Sequence, residues 1–143
     1  MSKGDVFESD LLKLIFNATA IANIADNAAS SPLTNLFVSL HTADPGEAGS
    51  QTTNETAYTG YARVSVARTS GGFTVTANSV SPVANIDFGE CTASPGAAIT
   101  HFAVGTATSG AGKLLYSGTV TANITMAIGV IPRLKTTSTI TEE

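Results

Sequence analysis

Residues 36–41 read LFVSLH, and the alternation in that stretch decides the fold. Leu36, Val38 and Leu40 fall on one side of an extended chain and Phe37, Ser39 and His41 on the other, because successive strand side chains point to opposite faces. A strand with one wholly aliphatic face predicts a sheet packed on a core. Upstream the period is different. Phe7, Leu11, Leu14, Ala18, Ile21 and Ala25 recur at steps of four and three, the spacing of one helix face. Asp5 and Glu8 have the N-cap and N3 spacing of a capping box. Asn17 and Asn23 are poor helix formers, so the helix is expected to end or loosen near Asn17. Asp26, Asn27, Ser30, Ser31 and Pro32 stop it before the strand begins.

Downstream, residues 43–57 (ADPGEAGSQTTNETA) carry a proline, two glycines and many polar side chains, and predict the longest loop, polar and flexible. A second strand is expected over about 58–68, with Ala62, Val64 and Val66 inward and Tyr61, Arg63 and Ser65 outward. Ser70, Gly71 and Gly72 turn the chain into Phe73, Val75 and Ala77, a hairpin signal. Further strands are expected near 84–89, 99–106, 113–121, 123–128 and 130–136. Short strands at this spacing, with no repeat, predict a mainly β fold: an antiparallel β-sandwich or jelly roll of seven or eight strands with an N-terminal helix or arm. The core is expected to be Leu36, Val38, Leu40, Ala62, Val64, Val66, Phe73, Val75, Phe88, Phe102, Val104, Leu114 and Tyr116. A length of 143 residues suits a single domain, with 1–31 as the helical segment or arm and 33–137 as the sandwich.

Composition agrees with that class and excludes others. Thr and Ser number 21 and 14, and stiff β-branched residues suit pleated, half-exposed surfaces. Seven basic against eleven acidic residues give a net charge of −4 and no basic patch, which excludes nucleic acid as the expected partner, since that affinity comes from neutralised phosphates. Residues 1–10 lack a basic start and an apolar run, and the apolar stretch 11–25 is broken by Lys13, Asn17 and Asn23, so neither a cleaved signal nor a membrane span is expected. Cys91 is the only cysteine, which rules out an internal disulfide and a cysteine-based zinc site.

Reactive groups are sparse. His41 and His101 lie within predicted strands among large apolar neighbours and read as sheet histidines, because acid–base work needs a positioned partner that no local spacing supplies. There is no Gly-x-Ser-x-Gly elbow. Residues 110–113 (GAGK) fail as a phosphate loop: Ala107 stands where its first glycine belongs and Leu114 where Ser or Thr would hold Mg²⁺, which leaves a hairpin turn. Asp44, Glu47, Asn54 and Glu55 offer oxygen ligands, but in no EF-hand spacing. Cys91 has no basic neighbour in sequence to stabilise a thiolate. Catalytic, cofactor-binding and metal-binding residues are therefore expected to be none, and the chain is not expected to be an enzyme.

Several segments, taken in order, carry a family likeness: LFVSLHTADP (36–45) followed by Gly46, YTGYAR (58–63), THFAVGTA (100–107), GKLLYSG (112–118) and Gly129-Val-Ile-Pro132, preceded by the helix at Leu11–Phe16. They resemble small structural proteins of tailed bacteriophages commonly labelled tail fibre proteins. The stretch 18–31 is longer than the family's usual link, and Phe73 stands where such proteins often carry Trp. The resemblance implies no catalytic residues. It implies a virion structural protein located in the virion after assembly in the host cytoplasm, its partners the major capsid protein or other virion proteins and further copies of itself, with no membrane or nucleic acid. Within that class the small size and the lack of a shaft favour a capsid decoration or cement protein over a small tail or tail-fibre subunit. A carbohydrate-binding jelly roll is the other class, with Tyr58 and Tyr61 the only close tyrosine pair for sugar stacking. Attachment is expected through segment 1–31, or else through loop 43–57.

Overall fold

The computed structural model describes residues 5–21 and 32–142. The chain is mainly β with one N-terminal helix, α1 (Asp5–Phe16). Nine strands follow among the described residues: β1 (Asn35–His41), β2 (Val64–Ala67), β3 (Phe73–Thr76), β4 (Ser79–Pro82), β5 (Ile86–Asp87), β6 (Ile99–Gly105), β7 (Leu114–Ile124), β8 (Arg133–Leu134) and β9 (Ile140–Thr141). They form sheets ordered β2-β1-β6-β7, β3-β4-β9 and β5-β8. The β1·β6, β3·β4, β4·β9, β5·β8 and β6·β7 pairings are antiparallel. Two compact units share the chain: 1–35, 66–85 and 135–143 make the first, and 36–65 with 86–134 the second.

In the first unit α1 packs on β3 and β4. Its inward stripe is Glu8, Leu12 and Phe16, an i, i+4, i+8 row in place of the expected Phe7, Leu11 and Leu14. Phe7 is 41% exposed, and Phe16 meets Phe73 edge-to-face with ring centroids 4.9 Å apart. Residues 5–16 thus cover their own sheet rather than stand off as an arm, while the continuation at 22–31, with Asn23 and Ala25, lies outside the described residues. The helix stops where Ala18 turns to φ +54°, as the Asn17 signal suggested. Arg68 closes its end: Nε donates to the Ile15 carbonyl at 2.6 Å, Nη2 to that of Leu14 at 2.5 Å, and Nη1 to that of Leu33 at 3.1 Å. A cation there satisfies the last helical carbonyls and opposes the helix dipole.

The expected hairpin is partly misassigned by sequence. The turn exists, with Gly72 N and Phe73 N both donating to the Thr69 carbonyl. Phe73–Thr76, however, pairs with Ser79–Pro82 through a two-residue turn at Ala77 and Asn78. Ser79–Pro82, where the sequence pattern places no strand, turns Val80 and Pro82 inward. β9, which sequence does not predict, then adds Ile140 beside Val80.

In the second unit β1 and β6 pair from Phe37↔Gly105 to His41↔His101, placing Leu36, Val38, Leu40, Ile99, Ala103 and Val104 in the core with Tyr58, Ile86, Phe88, Cys91, Met126 and Leu134. Residues 113–121 and 123–128 do not form two strands; β7 runs unbroken from Leu114 to Ile124, with its register against β6 shifting at each end. Several expected core residues are only half-buried, namely Val64, Val66, Val75, Phe102, Leu114 and Tyr116, and Ala62 is exposed. The cause at Ala62 is register. The strand begins at Val64 rather than near 58, and residues 58–63 take an irregular path that turns Tyr61 and Arg63 inward instead of outward.

Candidate functional site

The best-formed polar cluster of the second unit is built on that reversal. The Arg63 side chain is 2% exposed and that of Glu55 15%. Arg63 Nε donates to Glu55 Oε1 and Nη2 to Oε2, both at 2.7 Å, a two-point fit of guanidinium to carboxylate. Its remaining reach goes to loop carbonyls, Nη1 to Ala107 at 2.9 Å and Nη2 to Gly110 at 2.8 Å. Tyr61 Oη donates to Glu55 Oε1 at 2.8 Å and accepts from the Leu40 amide at 3.1 Å. Burial, reinforced by Glu55, holds the Tyr61 hydroxyl far above the usual phenol range, so it is a permanent donor. One charged pair thereby ties together strand β1, loop 43–57 and the β6–β7 turn.

Loop 43–57 is closed rather than free. Thr42 N donates to the Asn54 carbonyl and Thr56 N to that of Leu40, which zips its two ends at the His41↔Glu55 bridge. Gln51 is the plug. Its side chain is fully buried, with Oε1 accepting from Ala107 N at 2.9 Å and Nε2 donating to the Phe37 carbonyl at 3.3 Å. Two glycines make its slot: a Cβ at Gly105 would lie 2.2 Å from Gln51 Cδ, and one at Gly112 would lie 2.2 Å from Oε1. Residues 110–113 form the hairpin turn that sequence suggested, with Gly110 at φ +72° and Lys113 exposed.

His41 is also fully buried. Nδ1 lies 2.9 Å from the Thr53 carbonyl, which can only accept, so Nδ1 carries the proton and Nε2, 2.9 Å from Ser39 Oγ, accepts the serine hydroxyl. Burial lowers its pKa below the usual 6.5; the Thr53 bond and the Glu55 charge oppose the shift, and Arg63 and His101 add to it. The sign follows: the unfolded chain takes up a proton near pH 6.5 more readily than the folded one, so this stabilisation is complete above that pH and lost as pH falls below it. The urea midpoint is expected to drop between pH 7 and 5, and a flat profile there would contradict the assignment. His101 pairs with its neighbour, Nδ1 lying 2.8 Å from Thr100 Oγ1.

The other candidates do not converge. Asp44 Oδ1 accepts from Gly46 N, Asn54 Nδ2 donates to the Asp44 carbonyl, Glu47 is exposed, and Glu55 is committed to Arg63. Cys91 is buried against the Ala93 carbonyl. An open depression of about 430 Å³ is lined by Glu55, Tyr58, Tyr61, Arg63, Thr108 and Ser109 among others. Its tyrosines do not present stacking faces. Tyr58 is 3% exposed with its hydroxyl on the Gly89 carbonyl, pushed up to about 12 by burial, and Tyr61 lies edge-on to it and parallel to Phe88.

The buried charge and amides of this module hold its own loops in place. A family model, Gp80, described as podophage GP4 fiber I protein gp80, matches residues 5–141, and the chain belongs to that family. Every segment on which the tailed-phage resemblance rests falls inside the matched span. No curated protein matches the chain.

Proposed function

We propose that this chain is a non-enzymatic structural subunit of a podophage fibre, held in the virion by contacts with other virion proteins and with copies of itself. The observation that carries this reading is the fibre-family match across residues 5–141. The geometry supports it: Arg63, Glu55 and Tyr61 engage one another, and both ring nitrogens of His41 are engaged. No helix among the described residues is long and apolar enough to cross a membrane. A capsid decoration or cement role, which size and the missing shaft favour from sequence, draws no support from a family described by a fibre protein. Carbohydrate recognition is weakened by the buried Tyr58. Cryo-electron microscopy of particles carrying a tagged chain tests the proposal. Tag density on the tail is the expected result, and density spread over the capsid lattice would replace the fibre reading with decoration.

A further inference from the structure

The β5·β8 pair is the root of a longer ribbon in the second unit. Beyond Ile86↔Leu134 and Asp87↔Arg133, Phe88 N donates to the Pro132 carbonyl, Cys91 N to that of Val130 and Gly129 N to that of Cys91. Antiparallel bonding therefore continues to the turn around Gly129, with a one-residue shift where Cys91 faces both Gly129 and Val130. One face of the ribbon is core, with Ile86, Phe88, Pro132 and Leu134 buried. The other face carries Asp87, Ile131 and Arg133, since residues opposite each other, and those two along, share a face. Ile131 is 52% exposed and Ile128, at the turn, 70%. Gly89 stands opposite Ile131 without a side chain, because a Cβ there would strike the Gly60 carbonyl oxygen. Ile131 thus stands in solvent on the face of an exposed ion pair in which Arg133 Nη2 lies 2.8 Å from Asp87 Oδ2, and Ile128 is exposed at the turn beyond it.

We propose that this face is where two copies of the chain meet about a two-fold axis, Ile128 and Ile131 at the centre and Arg133 of each copy against Asp87 of the other. The argument for a second copy is charge complementarity. A face bearing one cation and one anion beside an apolar centre is complementary to itself under two-fold rotation, since each cation is carried onto the partner's anion. A wholly apolar partner surface would instead desolvate the pair with nothing in exchange. Four isoleucine tips cover far less than the roughly 800 Å² per partner of a stable dimer, so the contact is weak in dilute solution and strengthens where copies are held close together.

Sedimentation equilibrium of the full chain tests this without reference to its place in the particle, so its outcome is separate from that of the fibre reading. The native chain is expected to associate with rising concentration, and Ile131→Ser to weaken that association by about tenfold or more. Asp87→Arg and Arg133→Asp are each expected to be monomeric alone, because each puts like charges across the axis. Mixed in equal amounts they are expected to associate again. Within either variant the ion pair remains broken, so recovery on mixing comes only from pairing between chains. A native chain that stays monomeric at millimolar concentration, an Ile131→Ser variant that associates like the native chain, or a mixture no more associated than its components would each overturn the proposal.

Discussion

Arg63→Ala lowers the unfolding free energy by about 3–5 kcal/mol, the cost of removing one partner of a buried pair and leaving its charge behind. The native guanidinium is 2% exposed and holds both oxygens of Glu55 and the carbonyls of Ala107 and Gly110. Without it the carboxylate keeps Tyr61 as its remaining donor, and two loop carbonyls lose theirs. The loss has a diagnostic form. A variant that also carries Glu55→Gln no longer strands a charge, so it should be more stable than Arg63→Ala alone, and the two substitutions should be strongly non-additive. Urea titrations of the single and double variants measure this. A loss near the 0–1 kcal/mol of a surface ion pair would mean that Arg63 is solvated.

Gly105→Ala is the second large effect, about 3 kcal/mol or more, at the upper end of overpacking penalties. The added methyl would lie 2.2 Å from Gln51 Cδ and 2.5 Å from Cγ, the inner part of a side chain that is itself fully buried. Gln51 can yield only by leaving Phe37 and Ala107, which reopens the loop it plugs. Gln51→Ala on its own is costly, because it leaves a void and strips the Ala107 amide of its acceptor. In the Gly105→Ala background it should cost far less. Simple addition of the two losses, read from calorimetric midpoints, would show that the side chain does not occupy this slot.

Periodicity explains what could be read from sequence. LFVSLH and the segment at 99–106 alternate over a full strand length, and both are found within one residue of where the pattern puts them. The helix ends where Asn17 marks it. Elements of two to four residues carry too few positions for a period to show: β9 has two, and Ser79–Pro82 hides a buried valine between turn formers. The polar cluster was missed for a related reason. Counting alternation backward from Val64 and Val66 sends Arg63 outward, and nothing local reveals that the strand has already ended. One signal was available. In a chain with only seven basic residues, an arginine two positions from a tyrosine inside an apolar run is a candidate for burial with a partner, and Glu55 lies eight residues away. The slot for Gln51 joins positions 54 and 61 residues apart, and only the folded backbone brings them together.

The course of the chain through its two units decides what a truncation would spare. The second unit draws on residues 36–65 and 86–134, so a chain that stops short of Ile140 still holds all its parts, the Arg63 brace included. The first unit joins α1 to strands from the middle of the sequence and is closed by Ile140 against Val80. In the shortened chain β4 displays a bare edge beside Val80, a row of unpaired backbone groups on which the same edge of another copy can pair.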